Sequence, residues 1–572
     1  MYIVMYMTLV GMRTVMLKSL RVFVGLGVAL ASVGLNVGVS HATPDGEWST
    51  FENVPGLVDA NAGQNASFAS VSCASAGNCS AGGHYVDVDG HQQAFVVSQV
   101  DGMWQTFEDV PGLVAANTGG GADVVSVSCT SAGNCSAGGN YKVGSAQQAF
   151  VVSQVDGVWQ TFEDVTGLVA ANAGGGADVI SVSCSSAGNC SAGGFYALTS
   201  LYNQQAFVVS QVDGVWQTFE DVPGLVVANT DNNAKIFSIS CASAGNCSAG
   251  GKYKVDGVQY QQGFVVSQVD GVWQTFEDVR ALAAIPSIVG AVVNSVSCAS
   301  AGNCSAIGQL NNTSYGPVFV MSQVNGVWGN FEYLQGLEAM NTSFFAEINV
   351  ISCASAGNCT AAGGYGDDLG YQVFVVSQVD GVWGTVETIP SLNAANAGGD
   401  AAVRSVSCAS PGNCSIGGIY ADANYVYKGF LASQIDGVWQ PYEEIPGFDS
   451  LSNFGYSDVS SVSCAEAGSC SAVGMYSTTD LAGQVFVTSI STPLPEPTTT
   501  TDAPATTSDA PLTTTVPSTS VSTTAPSTSV SSTLLVTNLP ATGRGSSSTM
   551  LMSLMLTLSG VLIVSGLRRR IS

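Results

Sequence analysis

The side chains best equipped for chemistry in this sequence are its 16 cysteines. They form eight C-x5-C pairs: Cys73/Cys79, Cys129/Cys135, Cys184/Cys190, Cys241/Cys247, Cys298/Cys304, Cys353/Cys359, Cys408/Cys414 and Cys464/Cys470. Thiols so placed either ligate a metal or join to one another. Zinc sites usually pair C-x2-4-C with a second such pair or with histidines, and beyond His41 only His84 and His91 are present. In an exported chain, an even number of cysteines at one fixed spacing implies disulfides instead. Each would close a short loop and contribute only about 2 kcal/mol in the chain-entropy model.

The other reactive groups recur just as regularly, which marks them as structural. Glu52, Glu108, Glu163, Glu220, Glu277, Glu332, Glu387 and Glu443 all stand four residues after a tryptophan. Eight copies of one carboxylate make a packing or solvation position, because an active site draws different residues from different units. Tyr85, Tyr141, Tyr196, Tyr253, Tyr365, Tyr420 and Tyr476 follow the second cysteines and read as core, with Leu310 taking the place in the fifth unit. Serine chemistry needs a histidine base, and His84 and His91 share one unit. No residue set departs from the repeat, so the expectation is a non-enzyme without a cofactor or a metal site.

The elements that carry these residues are set by a repeat. Trp48, Trp104, Trp159, Trp216, Trp273, Trp328, Trp383 and Trp439 recur every 55 to 57 residues, and each precedes its first cysteine by 25. Periods of this length indicate an array or a propeller. Within one unit four strands are expected: 125–129, 135–141, 149–155 and 158–163. A five-residue turn joins the first two, and Asp156-Gly157, a strong hairpin signal, joins the last two. Four short antiparallel strands without a helical period are the pattern of a propeller blade. The chain enters at Asp45-Gly46-Glu47-Trp48 as a fourth strand lacking its third, and leaves at Val485–Thr488 as a third strand lacking its fourth. Pairing these halves would remove the open edges. The expected fold is therefore all-β: an eight-bladed propeller of four-stranded blades over 43–491, closed by its N- and C-terminal strands. A string of eight separate stapled modules is the alternative.

With strands alternating in direction, the cysteine hairpins and the Asp-Gly turns share one face. The connections between strands two and three, and between successive units, share the other. All length variation lies in the former (86–92 or 197–203), and sequence drift concentrates in the latter (285–288 against 341–344). Loops on a rigid scaffold are the usual place for recognition.

The ends of the chain carry addresses. Lys18 and Arg21 precede an apolar run, 22–39, closed by Ser40-His41-Ala42, so residues 1–42 read as an export signal cut between Ala42 and Thr43. A start at Met16 would make that signal a conventional one. Residues 492–538 are rich in Thr, Ser and Pro and cannot bury enough surface to fold. At roughly 3.1 Å per residue they read as a disordered, wall-spanning stalk. Leu539-Pro540-Ala541-Thr542-Gly543 is followed by an apolar run, 550–567, and by Arg568-Arg569-Arg570. The segment 539–572 resembles the sorting signal of sortase substrates. That resemblance implies cleavage between Thr542 and Gly543, covalent transfer to peptidoglycan, and a membrane helix that serves only before processing. The repeat itself, S-V-S-C-x5-C-S-A-G-G with D-G-V-W, resembles repeats of exported actinobacterial proteins, and that resemblance transfers no activity. Sialidases resemble the chain in carrying one turn motif per blade, but they clamp a carboxylate with three arginines, and the repeat has only Arg280 and Arg404. Quinone-dependent dehydrogenases resemble it in their eight tryptophan-marked blades, but need a calcium site and distinct catalytic acids.

Between Thr43 and Thr542 seven lysines and arginines face all 41 aspartates and glutamates, a formal net charge of −34. Such a surface repels phosphate backbones and anionic membranes. The expected partners are sortase, peptidoglycan and an extracellular glycan, protein or cation bound by the loop face, with no nucleic acid. The reading is a secreted, wall-attached display or adhesion protein. A surface-coat spacer without a ligand, or a surface enzyme, are the alternatives.

Overall fold

The computed structural model describes residues 47–491 except 282–289, 312–317, 344, 449–454 and 478–481. The expected export signal, stalk, membrane span and sorting signal, with Ala42, Thr43 and Leu539–Gly543, lie outside the described residues.

Each unit folds as one antiparallel sheet. In the second blade the strands are Asp123–Ser131, Asn134–Val143, Ala146–Val155 and Val158–Trp159. The first strands of successive blades pack side by side into an innermost ring, which closes where Ser457–Glu466 meets Ser67–Ser75. The eighth blade is built from both ends of the ring. Glu52 pairs with Val487, Asn53 with Phe486, and the Ser49 N–H donates to the Ser489 carbonyl at 2.9 Å. The closed eight-bladed propeller is thus the observed fold, and the string of separate modules is not.

Cores form between blades rather than within them. Ala94 and Val96 of the first blade pack with Val124, Val127, Phe150 and Trp159 of the second. Val473, Val485 and Val487 of the last blade pack with Phe68, Val71 and Phe95 of the first in the same way. The joint made by the chain ends is therefore equivalent to the others.

The S-V-S-C motif explains how the innermost ring is tied. The N–H of each first cysteine donates to the hydroxyl of the serine preceding the first cysteine of the previous blade. Cys129 donates to Ser72, Cys184 to Ser128, and so on around to Cys73, which donates to Ser463, all at 2.9–3.0 Å. A second belt runs further out. Gln154 Nε2 donates to Ser98 Oγ of the previous blade, and six more such glutamine–serine pairs, at 2.9–3.3 Å, include Gln99 with Ser489 across the closing joint. Ile490 replaces the eighth glutamine, and Ile cannot donate.

All eight expected disulfides form, each across the first hairpin of its blade: Cys73–Cys79, Cys129–Cys135, Cys184–Cys190, Cys241–Cys247, Cys298–Cys304, Cys353–Cys359, Cys408–Cys414 and Cys464–Cys470. No free cysteine occurs among the described residues. The hairpin and the Asp-Gly turn do share a face: the Gly157 N–H donates to the Gly133 carbonyl at 2.9 Å. Asp156 and Gly157 both take positive φ, 50° and 84°, as a two-residue hairpin of the mirror-image type demands.

The disulfides form as expected, and two other expectations need correction. The first cysteine of each pair is partly exposed at the hairpin. The second of each pair, Cys79, Cys135, Cys190, Cys247, Cys304, Cys359, Cys414 and Cys470, is buried at the joint with the previous blade. Its sulfur lies 3.3–3.5 Å from a hydroxyl there: Ser471, Ser80, Ser136, Ser191, Ser248, Ser305, Thr360 and Ser415 in turn. A disulfide sulfur carries no hydrogen, so the hydroxyl is the donor in each contact. The staple thus also belongs to the packing between blades, because its second strand lies under the neighbouring sheet.

The first correction concerns the outer strand, which is not continuous over 158–163. Val158–Trp159 pairs beside Gln154 and Val155, the Gln160 N–H still donates to the Ser153 carbonyl, and the register then slips by one residue before Glu163–Asp164 pairs beside Phe150 and Val151. There the Phe162 N–H donates to the Pro111 carbonyl of the preceding loop instead, so the outer strand is interrupted to bind its neighbour. Second, the connections between blades contain helix: six single turns among the described residues, such as Leu113–Ala116, each seating one leucine in the core. One turn is too short to display a 3.6-residue period.

Candidate functional site

The repeated polar residues take structural places. The Tyr85, Tyr141, Tyr196 and Tyr253 hydroxyls donate to Asp109, Asp164, Asp221 and Asp278 on the outer strand of the same blade, at 2.6–2.8 Å. Burial pushes these phenols well above their usual range, and the carboxylate partner adds to the effect. In the fifth blade, where Leu310 replaces the tyrosine, Tyr333 replaces the aspartate. Most of the eight repeated glutamates are exposed, with Glu52 and Glu443 partly covered. They are solvated positions.

Departure from the repeat is concentrated at one place, the loop-face end of the two innermost strands. The position 19 residues after each tryptophan reads Ser67, Asp123, Asp178, Lys235, Val292, Glu347, Ala402 and Asp458. Directly across from it stand His84, Asn140, Phe195, Lys252, Gln309, Gly364, Ile419 and Met475. The sequence shows no set that stands out from the repeat as a sialidase or dehydrogenase site would, and this set is of a different kind. The set is spread over eight blades and is gathered only at the axis.

Its members meet across the joints between blades. His84 Nδ1 lies 3.2 Å from Asp123 Oδ1 of the next blade. The Asn140 amide donates to Asp178 at 3.1 Å. The Lys235 ammonium sits 3.7 Å from the centre of the Phe195 ring, a cation–π contact. On the closing side the Ser67 hydroxyl lies 3.9 Å from Met475 Sδ. One joint further round, between the seventh and eighth blades, Arg404 Nε lies 3.4 Å from Asp458 Oδ2, and Tyr456 donates to the same oxygen at 3.3 Å. Asp458 Oδ1 is buried and has no hydrogen-bond partner among the described residues.

Confinement alters the charges here. Burial, reinforced by Asp123, pushes the Asp178 carboxyl up to about 7, although the Asn140 hydrogen bond and Lys235 act the other way. Burial lowers Lys235 despite Asp178, and burial plus the charge of Lys235 lower Lys252 to about 8. The folded state thus holds a proton on Asp178 that the unfolded chain releases near pH 4. That contribution to stability is fully present below about pH 4 and is lost as pH rises through 7. Asp178→Asn should consequently raise the thermal midpoint at pH 8 and leave it almost unchanged at pH 4. Calorimetry at the two pH values checks this, and an equal shift at both would refute the assignment.

Chemically the arc offers paired hydrogen-bond donors and acceptors, two ammonium groups, and a carboxyl that titrates near neutrality. Sequence reasoning missed it because each member was compared with the chain as a whole. Reading the eight copies in register at the two positions exposes it.

No family model and no curated protein matches the chain. Three solved structures similar to it share 7–13% identity. A neuraminidase-like protein of subtype N11 from A/flat-faced bat/Peru/033/2010 is 13% identical, with 55% of this chain and 88% of that one covered at a TM-score of 0.31. The Hadza microbial sialidase Hz136 is 7% identical over 60% and 73%, at 0.33. A PL25 ulvan lyase is 9% identical over 73% and 90%, at 0.37. Likeness at this level carries no activity to this chain, which rests on its own geometry as an eight-bladed, disulfide-stapled β-propeller.

Proposed function

We propose that the protein is a secreted, wall-attached recognition protein that binds an extracellular ligand at the axial end of its loop face. The carrying observation is where the repeat breaks. The hairpin face and the two hydrogen-bonded belts recur from blade to blade, whereas the two axial positions of the loop face differ in almost every blade. A spacer without a ligand would have no use for a half-buried His–Asp, Asn–Asp and Lys–Phe series at that one place, since half-buried charge costs stability. A glycan array probed with the 43–491 segment tests the reading. Retention of a discrete set of glycans, lost in Asp123→Ala or Lys235→Ala, is expected, and a blank array at high protein concentration counts against it.

Attachment is inferred from Leu539–Gly543 and the residues after it. Thr542→Ala should move the protein from the wall fraction to the membrane or the medium. Unchanged retention in the wall would refute anchoring.

A second reading, an enzyme acting at the same axial end, draws on one observation. The Asp178 carboxyl, near 7, is poised to give or take a proton at neutral pH. Turnover of a glycan retained on the array, abolished by Asp178→Asn with binding intact, would establish it.

A further inference from the structure

At three successive joints the axial side chain of the second strand meets that of the next blade's first strand: His84 with Asp123, Asn140 with Asp178, Phe195 with Lys235. At the next joint Lys252 has no such partner, because the corresponding residue of the fifth blade is Val292. Lys252 instead lies directly across its own sheet from Lys235. Like charges directly opposite each other destabilise a sheet, and none of the other seven blades places two like charges here. The Lys252 ammonium lies 5.5 Å from the centre of the Phe237 ring, and no carboxylate of the described residues forms an ion pair with either lysine. Asp178 attracts Lys235 through space, but near neutral pH it is itself partly protonated. Segments 282–289 and 312–317, beside this joint in sequence, contain no Asp or Glu. Two ammonium groups on facing positions without an ion-pair partner, in a mature chain of net charge −34, are missing an anion.

We propose that Lys235 and Lys252 together hold the carboxylate of an acidic saccharide at the axial end of the fourth blade. The proposal rests on the loop-face reading above and names its ligand class. Three properties select that class. The strongly acidic surroundings disfavour a polyanion, so the ligand carries an isolated charge. The ammonium pair is flanked by Phe195 and Phe237, whose rings suit an apolar ring face. Beyond them the Asn140–Asp178 and His84–Asp123 pairs offer donors and acceptors side by side, as sugar hydroxyls require. A bound carboxylate would also lift both lysines back toward their ordinary basicity, since it supplies the missing opposite charge.

Cellobiouronic acid and cellobiose, which differ only in a carboxylate, are titrated calorimetrically into the 43–491 segment, whose two ends pair with each other. The acid should bind at least about tenfold more tightly, or 1.4 kcal/mol at 25 °C. That preference should vanish in Lys252→Gln, which removes one ammonium, and in Val292→Glu, which supplies an internal carboxylate at the empty partner position. Both variants should melt no lower than the parent, because each relieves the lysine pair. Equal affinity for the two sugars, or a preference that survives in Lys252→Gln, overturns the proposal. Acetyl-Ala-Ala binding as tightly as cellobiouronic acid would overturn the saccharide assignment and keep the carboxylate. Binding of neutral glycans that is untouched by Lys252→Gln would sink this inference while leaving loop-face recognition standing.

Discussion

Gly194→Ala should destabilise the fold by more than about 4 kcal/mol, whereas Gly193→Ala, one residue away, should cost about 1 kcal/mol. The two glycines look equivalent in the S-A-G-G motif, but their surroundings differ. A Cβ on Gly194 would stand 1.9 Å from the Asp178 carbonyl oxygen, which is backbone on the facing strand. A Cβ on Gly193 would first meet the Ile236 side chain at 3.0 Å, which can shift. The register explains the contrast. Val179 pairs with Gly194 and Ser181 with Gly193, so Ile180 is an extra residue that bulges the innermost strand toward Gly194. All eight blades carry this bulge, and at Gly83, Gly139, Gly194, Gly251, Gly308, Gly363, Gly418 and Gly474 the same carbonyl clash arises at 1.9–2.1 Å. The neighbouring position holds Ile307, Ala362 and Val473 in three blades, so it tolerates side chains. A loss above about 4 kcal/mol is exceptional for a single substitution and is expected for Gly194→Ala, read as the denaturant midpoint. A midpoint shared by the two variants would refute the backbone clash as the reason for the glycine.

Truncation at Ala482 should be as severe. It removes the strand Gly483–Ser491, whose Val485, Phe486 and Val487 are buried. Burying three such side chains is worth about 2 kcal/mol each, and the total rivals the whole stability of an ordinary domain. The loss also strips the N-terminal Glu52–Asn53 of its partner and leaves two unpaired edges in what had been a closed ring. The 43–482 segment is expected to aggregate and to lose its single cooperative melt, while 43–491 elutes as one compact species. If 43–482 instead melted normally with only a small decrease in midpoint, ring closure would not be what holds the blades together.

Much of this was legible in the sequence because it is local or strictly periodic. The tryptophan spacing defines the blades, Asp-Gly places the hairpins, and an unpaired half-unit at each end announces closure. The cysteine pairs are six residues apart, so a hairpin alone brings them together. Spacing within one hairpin says nothing of what lies above it, so the burial of Cys135 against Ser80, and of its seven counterparts, was not legible. Nor were the breaks in the fourth strand and the helical turns. The first depends on a hydrogen bond from Phe162 to Pro111, which belongs to the loop of a neighbouring unit, and the second spans a single turn.

The candidate site divides the same way. Composition and order of residues alone determined that eight copies of one unit exist, that they are stapled, and that their two faces differ in variability. Only the tertiary structure decided that His84 meets Asp123, that Lys235 reaches the Phe195 ring, and that Lys252 meets neither a carboxylate nor an equivalent partner among the described residues. These partners belong to different sheets, so no periodicity within a strand relates them. They become neighbours because the innermost strands pack around a common axis, where each blade's second strand overlies the first strand of the next.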